Sequence, residues 1–148
     1  MSPKVFLDTN ILMDLLQQRP GYEESAQILQ AGEDGKICLC CSFLTMANLA
    51  FILRKSVTPA LLAPSIMQIK SLVSVLPMDS EQLSEALKMS GKDFEDILQA
   101  VCAINGGCSA IITDDTADYK INVCEGQTPL PPIYTPKEFL KSDILKLY

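Results

Sequence analysis

Apolar residues in this chain occur as short unbroken runs set between longer stretches of helical spacing. Lys4–Leu7 (KVFL), residues 37–41 (ICLCC), residues 72–76 (LVSVL) and Ala110–Ile112 (AII) show little alternation. Such runs read as strands covered on both faces. Ile133–Tyr134 predicts a last short strand. Between the runs, the spacing predicts helices. The first covers residues 11–16, with Asn10 as its N-cap and Arg19-Pro20-Gly21 as its breaker. The next covers 22–31, carried by Ala26, Ile28 and Leu29 and stopped by Gly32 or Gly35. Further helices follow over 42–55, and from Thr58-Pro59 to about Ser71. Two more cover 79–89 and 93–104, the second ended by Gly106-Gly107. Thr135-Pro136-Lys137-Glu138 opens another helix, and residues 114–131 read as loop. Strands alternating with helices predict an α/β fold, a three-layer α/β/α sandwich with a central, mostly parallel sheet. With 148 residues, a single domain over 1–148 is expected.

Composition narrows the chemistry. The chain has no histidine and no tryptophan. Nucleophile activation by imidazole and histidine-ligated zinc are therefore excluded. Carboxylates, lysine, tyrosine, cysteine and oxygen-held metals remain. The six cysteines are Cys38, Cys40, Cys41, Cys102, Cys108 and Cys124. Cys38 and Cys40 fall on one strand face, a pattern open to a soft metal. Small buried hydrophobes in a reducing cytosol are the stronger expectation. No secretory leader opens the chain and no run reaches membrane-span length, so a cytoplasmic protein with no membrane contact is expected. The formal net charge of −6 means that any nucleic-acid partner needs a local basic patch or bridging cations.

The positions of the acids change the picture most. Asp8 directly follows the first strand, and Asp114 and Asp115 follow the fourth. Asp93 and Asp96 open the helix that leads back to that fourth strand, and Asp118 lies just beyond it. In a parallel sheet, all of them fall at the carboxyl edge, where ligands bind in such folds. Taken singly, each has an ordinary use. Asp93 is an N-cap, Asp96 complements the helix dipole, and Asp115 and Asp118 shape a loop. Asp14 reads as a solvated helix residue or a partner for Arg19. Asp8 is harder to explain this way, because an acid ending a buried strand is costly without a partner. Gathered carboxylates repel and favour a shared hard cation such as Mg²⁺ or Mn²⁺. A cation so held supports phosphodiester hydrolysis without histidine.

Three segments, in order and spacing, resemble the PIN-domain family of metal-dependent ribonucleases, VapC-type toxins and related proteins among them. They are residues 7–14 (LDTNILMD), 92–100 (KDFEDILQA) and 111–119 (IITDDTADY). The resemblance spans essentially the whole chain. It implies an acidic Mg²⁺ or Mn²⁺ pocket, with Asp8, Asp96 and Asp115 as catalytic and metal-binding residues and Asp118 as a companion ligand. Thr9, Asn10, Asp93 and Thr113 would support them. The family's usual glutamate in the helix after the second strand is here Asn48. That residue keeps an oxygen donor but loses a charge. The resemblance also implies RNA as substrate, an antitoxin protein as partner, and homodimerisation.

Arg54, Lys55, Lys92 and Lys120, with Arg19 and Lys88, are candidates to hold phosphates, and Tyr22 and Tyr119 to stack on bases. Two other classes compete with the nuclease. Asn48 points to a catalytically weakened PIN domain that binds RNA or protein. An aspartyl phosphatase built on Asp8 is weaker, because Asn10 stands where a second Asp is needed and there is no glycine-rich phosphate loop.

Overall fold

A computed structural model describes residues 2–146; Met1, Leu147 and Tyr148 lie outside it. Five strands form one sheet: β1 (Lys4–Leu7), β2 (Cys38–Ser42), β3 (Ser74–Leu76), β4 (Ala110–Ile112) and β5 (Ile133–Tyr134). Their order across the sheet is β3-β2-β1-β4-β5, and every pairing is parallel. β1 is central, with Val5 opposite Leu39 on one side and Ala110 on the other. Its Val5, Phe6 and Leu7 are all buried, which explains why the run does not alternate.

The two faces of the sheet nevertheless separate residue by residue. Val5, Leu7, Leu39, Cys41 and Ile112 pack into one cluster with Ile11, Met13, Ile28, Leu49 and Phe139. These come from α1 (Thr9–Gln17), α2 (Tyr22–Glu33), α3 (Phe43–Leu53) and α7 (Pro136–Leu140). Phe6, Cys40 and Ile111 point the other way, onto Ala100, Cys102 and Ala103 of α6 (Phe94–Asn105). The remaining helices are α4 (Pro59–Lys70), α5 (Ser80–Ala86) and α8 (Asp143–Lys146). The sheet is thus the middle layer of a three-layer α/β/α sandwich, as the sequence predicts.

Several boundaries move, for local reasons. α1 starts at Thr9, and its N-cap is Asp8 rather than Asn10. Asp8 is extended and its carboxylate accepts from the Thr9 amide, so the strand passes into the helix without a linker. Ser42 ends β2 and caps α3 through the Thr45 amide. The segment read as loop contains a 3-10 turn, Thr116–Tyr119, and Asn122 bridges to Ser90. No described helix is long and apolar enough to cross a membrane.

The chain leaves β1 towards β2 and β3, then crosses back to β4 and β5 on β1's other side. A crevice therefore opens beyond the carboxyl ends of β1 and β4, at the reversal of strand order.

Candidate active site

Asp8 and Thr113 stand at the two lips of this crevice. The Asp8 amide donates to the Ile112 carbonyl at 3.0 Å, which ties the strand ends together. The Thr113 hydroxyl donates to Asp8 Oδ2 at 2.9 Å, and the Thr9 amide donates to Oδ1 at 2.7 Å. Asp8 is thus held from both sides. Burial still pushes its carboxyl above the ordinary range, with Asp118 and Glu95 adding to the effect.

A cavity of about 330 Å³ opens over Asp8. Its walls carry five carboxylates: Asp8, Asp93, Glu95, Asp96 and Asp118. Thr9, Asn10, Asn48, Phe51 and Ile52 complete them, with neither lysine nor arginine among the lining residues. α6 supplies three of the acids from its N-terminal turn. Asp93 caps that helix through the Glu95 amide at 2.7 Å. Asp96 is half-buried, and its carboxyl is pushed up to about 7 by burial and by the neighbouring carboxylates, Asp8 first. Glu95 is exposed, and its Oε1 accepts from Asn48 Nδ2 at 2.5 Å.

Beneath the cavity, a buried polar network locks α1, α3 and α6. The Ser42 hydroxyl donates to Gln99 Oε1 at 2.5 Å, Gln99 Nε2 donates to Thr45 Oγ1 at 2.9 Å, and the Thr9 hydroxyl reaches the same oxygen at 3.1 Å. Such a network fixes the three helices that present Asp8, Asn48 and Asp96.

The donor set suits a hard divalent cation. It consists of carboxylate and amide oxygens, and burial together with its excess of negative charge already raises Asp96. Among the described residues, no three His, Cys, Asp or Glu side chains stand close enough together to hold a metal ion between them. The oxygens instead ring an open space, which fits an ion that keeps several waters and takes few direct protein ligands. Behind this wall the Tyr119 hydroxyl is buried with no hydrogen-bond partner among the described residues, and burial and the Asp8, Asp96 and Asp118 charges raise its pKa.

Residues 4–117 match the family model of the PIN domain. The chain belongs to the PIN-domain family. It is 27% identical over 128 residues to Ribonuclease VapC1 of Aquifex aeolicus (strain VF5), covering 82% of this chain and 88% of that protein. Its fold is similar to that of a chain in the DNA-bound VapBC of Salmonella typhimurium, with a TM-score of 0.67 and 18% identity over 92% of this chain and 99% of the other. A chain of a toxin–antitoxin complex from Klebsiella pneumoniae gives 0.63 and 19%, covering 89% and 97%.

In this PIN domain, the expected site residues separate into those brought together and those kept apart. Asp8, Asn48, Asp93, Asp96, Asp118, Thr9 and Asn10 all line the cavity. Thr113 supports Asp8 from behind. Asp115 departs from the expectation. It caps the 3-10 turn, its Oδ1 accepts from the Ala117 amide at 3.0 Å, and it does not line the cavity. That turn carries Asp118 to the cavity wall instead.

Asp14 is buried rather than solvated, and it pairs with Arg19 at 3.6 Å. Asp114 lies against it, and its carboxyl is pushed up to about 7 by burial and by Asp14. Tyr119 is 4% exposed, too buried to stack on a base. Lys92 pairs with Asp118 at 3.8 Å. Arg54 lies 3.9 Å from the centre of the Phe51 ring, and Lys55 lies 5.6 Å from it. Lys120 does not line the cavity. Cys38 and Cys40 do share a face, packed as small apolar groups.

The sequence reading missed Glu95. An asparagine on an otherwise apolar helix was the available signal, since a half-buried amide requires a polar partner.

Proposed function

We propose that this PIN domain is a metal-dependent endoribonuclease, hydrolysing RNA phosphodiesters with Mg²⁺ or Mn²⁺. One observation carries the reading: five carboxylates line one cavity at the sheet's switch point, with no cationic side chain in its walls. Asp8, Asp96 and Asp118 would hold the cation, and Thr113 and Thr9 keep Asp8 turned towards it. When bound, the ion supplies charge stabilisation for the phosphodiester and an activated water.

Substrate contact falls to the side of the cavity where Phe51 meets Arg54 and Lys55, with Lys92 and Lys120 beyond Asp118. Phe51 offers an apolar face 54% exposed, and the two cations beside it suit phosphates. The name of the Aquifex relative supports RNA as the polymer. The toxin–antitoxin neighbours support an antitoxin as protein partner, and a second copy of the chain is a further partner in this reading. Exposed Phe43, Leu61 and Met67 on α3 and α4 give such partners an apolar surface. In this reading, the chain acts as one unit in the cytoplasm.

The test is cleavage of a mixed RNA pool with Mn²⁺ by wild type and Asp8→Asn, with and without EDTA. Cleavage should require both Asp8 and the ion. Cleavage that survives EDTA or Asp8→Asn overturns the mechanism. An inactive wild type that still binds RNA would make the chain a binding module instead.

A further inference from the structure

We infer that Glu95 is a working carboxylate of the cation site and that Asn48 is the residue that positions it. The inference rests on the metal-dependent reading above and adds to it a residue from outside the expected set. Two observations carry it. First, Glu95 lines the same cavity as Asp8, Asp96 and Asp118, and acts electrostatically on both Asp8 and Asp96. Second, the one hydrogen-bond partner of its carboxylate among the described residues is Asn48 Nδ2, reaching from α3 to the first turn of α6.

The atom types assign the roles. A carboxylate only accepts, so the atom of Asn48 that faces it must be the amide nitrogen. One oxygen of Glu95 is thereby held, and Oε2 stays free to meet a cation or its water. Asn48 oxygen Oδ1 is left facing away from Glu95, in the same cavity wall. An exposed glutamate at a helix start ordinarily samples several rotamers, and a bond from the neighbouring helix removes that freedom before the cation arrives. A glutamate at position 48 would have no proton to give and would repel Glu95. Asparagine at 48 and glutamate at 95 thus form one donor–acceptor unit across two helices. The negative charge absent at 48 is present 2.5 Å away, at the other end of that hydrogen bond.

The two roles can be exchanged. In the double variant Asn48→Glu with Glu95→Gln, the carboxylate moves to α3 and the amide donor to α6. The pair stays complementary and the cavity keeps its charge. Calorimetric titration of Mn²⁺ alone into the full chain reads the result without any turnover, with circular dichroism as the check on folding. Glu95→Gln should bind Mn²⁺ about tenfold more weakly than wild type. The exchange variant should return to within about threefold of wild type, since a Gln–Glu pair restores both donor and charge. Asp8→Asn serves as the reference. If Asp8→Asn abolishes binding while Glu95→Gln stays within about twofold of wild type, the role of Glu95 is overturned and the cation site stands. If the exchange variant binds as weakly as Glu95→Gln, the pairing with Asn48 is overturned. If Asp8→Asn binds Mn²⁺ like wild type, the cation reading of the whole cavity falls.

Discussion

Two groups of acids stand at the same edge of the sheet and handle their repulsion differently. Asp14 and Asp114 meet outside the cavity lining, where Arg19 lies 3.6 Å from Asp14 and a raised Asp114 keeps its proton to near neutrality. That group settles its own charge with a proton and a guanidinium. Asp8, Asp93, Glu95, Asp96 and Asp118 surround an open cavity with no cationic side chain in its walls. Lys92 approaches Asp118 only at 3.8 Å and from the surface. Proximity of carboxylates therefore does not by itself mark a metal site. The informative feature is an unbalanced set that is also accessible.

The largest effect should come from removing Asp8. Asp8→Asn is expected to weaken Mn²⁺ binding more than about 100-fold in calorimetry. It should also raise the thermal midpoint of the cation-free protein, because a buried charge is replaced by a neutral amide that still meets Thr9 and Thr113. A lowered midpoint would show that the buried charge supports the fold, and the contrast between the two groups would weaken.

The two late aspartates sharpen the same comparison. Asp118→Asn should cost about tenfold in Mn²⁺ affinity. Asp115→Ala should leave that affinity within about twofold and instead lower stability by about 1 kcal/mol, the worth of a lost cap. Chemical denaturation beside calorimetry separates the two. Equal losses of affinity would return Asp115 to the site.

Acidity gives a third handle. Asp96 and Asp114 have carboxyls near pH 7 in the fold, against an ordinary value of 3.8. The folded chain holds those protons more tightly than the unfolded chain does. Their contribution to stability is fully present below about pH 4 and is lost as pH rises towards and through 7. The midpoint of the cation-free protein should therefore fall between pH 5 and pH 8, and saturating Mn²⁺ should flatten that fall by neutralising the open group. A midpoint that rises with pH over this range would contradict both assignments.

The smallest effect belongs to the closed pair. Asp114→Asn should reduce part of the pH dependence while leaving Mn²⁺ affinity within about twofold of wild type. A marked loss of affinity would join the two groups into one site.

Much of this site was readable along the chain. Asp8 at the end of a buried run and Asp93 before a helix are local signals, and both line the cavity; Thr113 was legible only through the family motif that contains it. The unread parts depend on contacts between distant segments. Gln99 lies on the buried face of α6, and only its meeting with Ser42 and Thr45 shows that it braces the cavity floor. Asp115 and Asp118 look alike in a loop. The 3-10 turn between them directs one carboxylate to a backbone amide and the other to the cavity. Glu95 reads as a first-turn helix acid until α3 brings Asn48 against it.

By itself the sequence determined the class of fold, the carboxyl edge where the acids gather, and a chemistry without imidazole. These follow from short-range pattern, from strand direction and from composition. Tertiary structure decided which acids share a cavity, which are neutralised nearby, and which amide holds which carboxylate. Electrostatic energy depends on distances between side chains, and for residues such as 48 and 95 those distances exist only after the helices have packed.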